Sequence, residues 1–270
     1  VHQQFPACEV VTVPVADGGE GSVDCFLEAL GGRKETVQVH GPYMELMEAE
    51  YGILSDGTAV VEMASCAGLP LVEDRKNPKK TTTYGVGELI LAAAKAGSKR
   101  IITGLGGSCT NDGGCGMAAA LGIRFYDAQD REFVPTGGTL KEIRRIDMSR
   151  REKLLDQIEL LAMCDITNPL TGPEGAAHVF SPQKGADEGM IQELEAGMVH
   201  YASILEQTVQ IPKIRELPGG GAAGGMGIGM AALLGAKLIP GIQAVLDTVQ
   251  IDTLAEHADL ILTGEGKIDS

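Results

Sequence analysis

The stretch that most constrains this chain is IITGLGGSCTNDGGCGMAAALG at residues 101–122. A β-branched run, Ile101-Ile102-Thr103, enters a turn holding Gly104, Gly106 and Gly107, then Ser108, Thr110, Asn111 and Asp112, and leaves as an alanine-rich helix. Glycine lets a backbone take positive φ and lets a ligand come close. A helix that starts straight after such a turn aims unpaired N–H groups and a partial positive charge at whatever sits there, usually phosphate. Ser, Thr, Asn and Asp are equally ordinary N-cap residues. Alone, the stretch therefore reads as well as a capped strand–turn–helix.

The unit recurs. A strand over 8–15 leads into ADGGEG at 16–21 and a helix that stops at Gly31-Gly32. A strand over 158–164 delivers Asp165 to the turn DITNPLTGPEGAA, and a strand over 258–263 runs into TGEGKIDS. Residues 35–63 alternate instead, with turns at Gly41-Pro42 and Asp56-Gly57, which predicts antiparallel strands. Amphipathic helices are expected over 82–96 and 190–208, a short charged helix over 150–157, and a β-rich connection over 123–150. Residues 219–236 read as a glycine-rich loop feeding a buried helix. Strands alternating with helices, with one antiparallel patch, make the class α/β with a mixed sheet. In open α/β sheets ligands gather where strands end, and the polar glycine-rich turns lie there.

Charge narrows the partners. Thirty-seven acidic residues against 22 Lys and Arg give a net charge of −15 with no basic run, so nucleic acid and an anionic membrane are excluded as partners. The GxxxG spacings in 219–236 suggest a membrane helix, but eight glycines in eighteen residues make it a poor one, and Lys237 and Pro240 end it. Six scattered cysteines without a C-x-x-C pair indicate reduced thiols and a cytoplasmic setting. Five isolated histidines offer no structural metal site.

Nucleotide fingerprints fit poorly. There is no G-x-x-x-x-G-K-[ST]. Gly104-x-Gly106 is followed at the third fingerprint position by Cys109, which ranks a nicotinamide-dependent hydroxyacid dehydrogenase last. Taken together, however, PVADGGEG (14–21), GLGGSCTNDGG (104–114), CDITNPLTGPEGAA (164–177), PQKGA (182–186), GGAAGGMG (220–227) and TGEGKIDS (263–270) resemble, in order, the bacterial-type glycerate kinases that phosphorylate the 2-hydroxyl of D-glycerate. Cys109 and Cys115 stand where that family usually has Ala, and Ser181 where it often has Gly. The resemblance implies two α/β domains: one flavodoxin-like, made of residues 1–34 and 243–270 and incomplete here, and interrupted by a mixed-sheet insertion domain over 35–242. The site is expected in the cleft between them. It further implies ATP and Mg²⁺ as cofactors, D-glycerate as substrate and 2-phosphoglycerate as product. A homodimer is also carried as an expectation. Family members have an earlier strand with an APDSFKGS-like loop and continue beyond the IDS at 268–270. The alternative is accordingly a non-catalytic, truncated fragment that retains sugar-acid or nucleotide binding.

Phosphoryl transfer needs a phosphate cradle, Mg²⁺ on carboxylates, a cation, and a group that takes the hydroxyl proton. The 104–114 loop is expected to be the cradle, through Gly106, Gly107, Ser108, Thr110 and Asn111. Asp112 is expected as Mg²⁺ ligand or base, with a dipole-favoured helix-start carboxylate as its other reading. Asp17 and Glu20 would contact substrate or metal. Asp165 is a metal candidate and Asn168 a binding one, both at a strand end. Lys184 would neutralise phosphate. Glu265 and Lys267 would bind, and Asp269 is the alternative base.

Overall fold

The computed structural model describes residues 7–11, 19–256 and 258–262. A six-stranded sheet runs in the order β1-β2-β3-β4-β8-β9. In it β1 (Gly32–His40), β2 (Leu46–Leu54) and β3 (Ala59–Glu62) are antiparallel neighbours, and β4 (Arg100–Gly104), β8 (Glu159–Met163) and β9 (Lys237–Ile239) continue parallel to β3. A small antiparallel sheet, β6-β5-β7, joins β5 (Arg124–Tyr126), β6 (Glu132–Phe133) and β7 (Arg145–Asp147). The chain is thus a mixed α/β protein.

Local chemistry accounts for most of these elements. The β2–β3 turn sits at Asp56-Gly57: Gly57 has φ +86°, and the Asp56 carboxylate accepts from Thr58 N–H at 2.8 Å, the self-bonding that suits Asp to turns. Ile101, Ile102 and Thr103 of β4 are wholly buried, as expected of a parallel strand covered on both faces.

On one face of the sheet, Val23 and Phe26 of α1 (Ser22–Leu30) cluster with Val60, Ile102 and Leu161 of the strands and with Ala244 and Val245 further along the chain. The other face carries a larger core, where α2 (Ala64–Ala67), α3 (Tyr84–Lys95) and α4 (Cys115–Ala120) pack Cys66, Leu89, Ile90 and Met117 against Val61, Ile101 and Leu160. That core extends to α5 (Ala176–Phe180), α6 (Glu188–Val209) and α7 (Ala222–Gly229). Asp187 caps α6 by accepting from Met190 N–H. The helices α8 (Gly241–Thr248) and α9 (Ile251–Ala255) follow β9. Among the described residues, no helix is long and apolar enough to cross a membrane.

Two local expectations need correction. Of the strand expected over 8–15, residues 8–11 are described and irregular; so are 258–262 of the strand expected over 258–263. Leu260, Ile261 and Leu262 are 63–73% exposed. Among the described residues no strand of either sheet pairs with these runs, and an apolar run without a neighbour has nothing to complete its ladder. The short charged helix expected over 150–157 is present as a 3-10 helix, Lys153–Gln157. Conversely, β9 forms where only loop and helix were expected, too short to display an alternation.

Because β3, β4, β8 and β9 are parallel, their C-terminal ends share one edge of the sheet. Glu62, the loop after Gly104, Asp165 and Gly241 all emerge there.

Candidate active site

The loop leaving β4 is held by its backbone on both sides. Leu69 N–H donates to Gly107 O at 2.8 Å and Cys109 N–H to Ala67 O at 2.9 Å, which makes an isolated antiparallel bridge between Gly68 and Ser108. Gly107 has φ +72°, and a Cβ there would stand 3.2 Å from Ala64 Cβ and 4.0 Å from Glu20 Cγ. Glycine is needed for that conformation, and the close approach places Glu20 beside the loop. The Glu62 carboxylate, at the end of β3, accepts from Val23 N–H and so anchors the start of α1 after Glu20. Sequence reasoning missed Glu62. The N–H groups of Gly106 and Gly107 donate to no described residue, leaving two adjacent main-chain donors for an anion.

Lys184 comes to this loop from a 3-10 turn, Pro182–Lys184, that follows α5. The turn closes through Gly185 at φ +96°, where a Cβ would lie 2.7 Å from Lys76 Cβ. Although Lys184 is 1% exposed, its ammonium makes no ion pair among the described residues. Nζ instead donates to Ser108 Oγ at 2.8 Å and to Thr110 O at 2.6 Å. Burial pulls its pKa down from the usual lysine range to about 8. The adjacent Cys109 thiol is pushed up to about 12 by burial and stays protonated.

Gly106, Gly107, Ser108, Lys184 and Asp165 line one cavity of about 250 Å³. Asp165 Oδ1 accepts from Gly241 N–H at 2.7 Å, which caps the start of α8. Phe180, Gln183 and Ala223 are also among its lining residues and were not singled out from sequence. Ala223 belongs to a left-handed run, Ala223, Gly224 and Gly225, with φ 54°, 67° and 86°. The run lets Gly224 pass directly against the Thr110 carbonyl and Asn111 Cα. The glycines at 220–227 were visible in sequence; the backbone turn they permit was not.

Asp112 is not at the cavity wall. It is fully buried, and its carboxylate accepts from Thr83 N–H (2.8 Å), Thr83 Oγ1 (2.9 Å), Gly114 N–H (3.1 Å), Gly116 N–H (3.2 Å) and Thr82 Oγ1 (3.4 Å). Burial still holds its carboxyl above the usual range. With five protein donors and no exposure, Asp112 ties the starts of α3 and α4 together and has no open face for a metal or a substrate proton. Thr110 and Asn111 also lie behind the wall; Thr110 Oγ1 and both polar atoms of the Asn111 side chain are buried without a partner among the described residues. Asn168 donates to Glu174 O at 2.8 Å within its own turn and does not line the cavity. Asp17, Glu265, Lys267 and Asp269 lie outside the described residues.

No group of three or more His, Cys, Asp and Glu side chains is placed to hold a metal among the described residues. Asp165, with one carboxylate oxygen engaged by Gly241, is compatible with Mg²⁺, which keeps several waters and takes one or two carboxylates together with substrate phosphates. All six cysteines are free.

The family model described as the glycerate kinase family matches residues 1–270. The chain belongs to the glycerate kinase family. It is 49% identical over 267 residues to a Bacillus cereus glycerate kinase, covering 98% of this chain and 70% of that protein. It is 44% identical over 268 residues to the Escherichia coli glycerate 2-kinase, with the same coverage. The crystal structure of a candidate glycerate kinase 2 from Salmonella typhimurium LT2 superposes with a TM-score of 0.94 at 43% identity, covering 99% of this chain and 72% of that one. As a member of the glycerate kinase family, the protein is a kinase enzyme.

Proposed function

We propose that this glycerate kinase family member transfers the γ-phosphoryl group of ATP to the 2-hydroxyl of D-glycerate, giving 2-phosphoglycerate and ADP. One observation carries the reading beyond family membership: two main-chain donors without a partner among the described residues, a serine hydroxyl, a buried lysine and an exposed carboxylate surround a single cavity at the strand ends.

Phosphoryl transfer depends on positioning and charge neutralisation. The Gly106 and Gly107 N–H groups receive phosphoryl oxygens, and the backbone bridges to Ala67 and Leu69 keep them aimed without reorganisation. Asp165 would hold Mg²⁺ through its free oxygen, and the ion would neutralise phosphate charge there. Glu20, beside Gly107, contacts the polar end of the substrate. Asp17, Glu265 and Lys267 are assigned to binding, and Asp269 stands as the alternative proton acceptor, from the sequence alone. Asp112 is a positioning residue that holds the helix starts under the loop. The free cysteines suit the reducing cytoplasm proposed as its setting.

The test is the product. Phosphorus NMR of the reaction of ATP, Mg²⁺ and D-glycerate should show a phosphomonoester coupled to a single proton, the signature of the 2-isomer. Coupling to two protons would place the phosphoryl group on the 3-hydroxyl and overturn the regiochemistry.

A further inference from the structure

We propose that Ser108 and Lys184 form the proton relay of the transfer: Ser108 Oγ, at the cavity wall, takes the proton of the substrate hydroxyl while Lys184 Nζ, 2.8 Å behind it, takes Ser108's own. The proposal rests on the phosphoryl-transfer reading above.

A lysine this deeply buried ordinarily has a carboxylate partner, because an unpaired ammonium is costly away from water. Lys184 has none among the described residues; a hydroxyl and a carbonyl are its only hydrogen-bond partners there. That environment suits an amine that gains and loses its proton. In the neutral state one N–H stays on Thr110 O and the nitrogen lone pair accepts from the Ser108 hydroxyl. In the charged state the ammonium donates to both oxygens. The same geometry serves both, so the transfer requires no rearrangement.

The ionisable groups around Lys184 leave it free for this exchange. Cys109 is a neutral thiol. Asp112 is close enough to favour the ammonium but is saturated by the Thr82, Thr83, Gly114 and Gly116 donors. Asp165 lines the same cavity, is held by Gly241, and is assigned to the metal. The backbone bridge between Ser108 and Gly68 fixes the residue that touches both substrate and lysine.

The step balances. The substrate O–H bond breaks as its oxygen bonds to the γ-phosphorus, and the bond from that phosphorus to the leaving diphosphate oxygen breaks. The hydroxyl proton passes to Ser108 Oγ, and the original Ser108 proton passes to Lys184 Nζ. After product release the ammonium returns its proton to solvent through Ser108.

The experiment is the pH profile of kcat and KM for the wild-type protein, Ser108→Ala, Ser108→Thr and Lys184→Arg, with circular dichroism to confirm folding. Wild-type kcat should rise through a pH of about 8, as Lys184 becomes neutral. Removing the Ser108 hydroxyl should lower kcat by about 100-fold or more, the usual share of general-base catalysis. It should also abolish the rise and leave KM nearly unchanged. Ser108→Thr, which keeps the hydroxyl, should keep the rise, and Lys184→Arg, permanently charged, should lose the rise along with the rate. A purely structural Ser108 would not remove the inflection. Ser108→Ala with a near-wild-type rate, or with the inflection intact, overturns the relay while leaving the kinase reading in place; if it does not fold, Lys184→Arg retaining the rise overturns it equally. A folded wild-type protein that makes no ADP with D-glycerate at any pH overturns the kinase reading and the relay with it.

Discussion

Asp112 Oδ2 accepts two hydrogen bonds from Thr83, from its N–H at 2.8 Å and its hydroxyl at 2.9 Å, while Oδ1 accepts from Gly114 N–H. One carboxylate thus serves the starts of two helices, α3 and α4. The donors it satisfies lie where helices leave their N–H groups unpaired.

Asp112→Ala should therefore act first on stability. Leaving several buried donors unmet should cost about 3–5 kcal/mol, read as a fall in the urea midpoint with an unchanged slope. Asp112→Asn, which keeps the shape, should lose less. Full stability together with abolished turnover would return Asp112 to the reacting atoms.

Lys184 gives stability a pH dependence of known sign. Its folded pKa, about 8, lies below the ordinary lysine value of 10.5. Between the two the unfolded chain binds the extra proton, so the contribution of Lys184 to stability rises with pH across that window and is flat below it. The rise should amount to about 3 kcal/mol. Urea titrations of the wild type and Lys184→Met across that window check it; parallel curves would contradict it.

Two left-handed glycines should respond differently to alanine. Gly235, at φ +74°, has open space around a Cβ, so Gly235→Ala should cost about 1–2 kcal/mol of backbone strain. At Gly224, φ +67°, a Cβ would collide with Thr110 O and lie 2.6 Å from Asn111 Cα. Gly224→Ala should be distinctly worse and should displace the loop that carries Ser108. Comparable thermal shifts in the two variants would argue against the close approach.

Asp165→Ala should raise the Mg²⁺ concentration needed for half-maximal rate by at least about tenfold, since residues that only support a metal ligand already cost that much. Because Asp165 Oδ1 also caps α8, a loss of about 1 kcal/mol of stability should accompany it. An unchanged Mg²⁺ requirement would remove Asp165 from the metal.

Much of this was legible in the residues, for physical reasons that also mark where legibility stopped. Asp56-Gly57 announced its hairpin because the turn chemistry is local. Ile101-Ile102-Thr103 announced β4 because a strand buried on both faces must be apolar throughout. Asp112 was ambiguous because the dipole that attracts a bound anion equally attracts a carboxylate of the chain itself. Its inward aim depends on Thr82 and Thr83, some thirty positions earlier. Lys184 was named for phosphate, but its contact with Ser108 spans 76 positions, beyond any local pattern. The runs at 8–11 and 258–262 carry strand composition, yet strand structure needs a neighbour that composition does not supply.

The most direct measurement is the initial rate of ADP formation by this protein with ATP and Mg²⁺, with and without D-glycerate. ADP formation that requires D-glycerate and saturates with it is expected. A folded protein whose ADP formation is absent, or is indifferent to D-glycerate, would contradict the assignment.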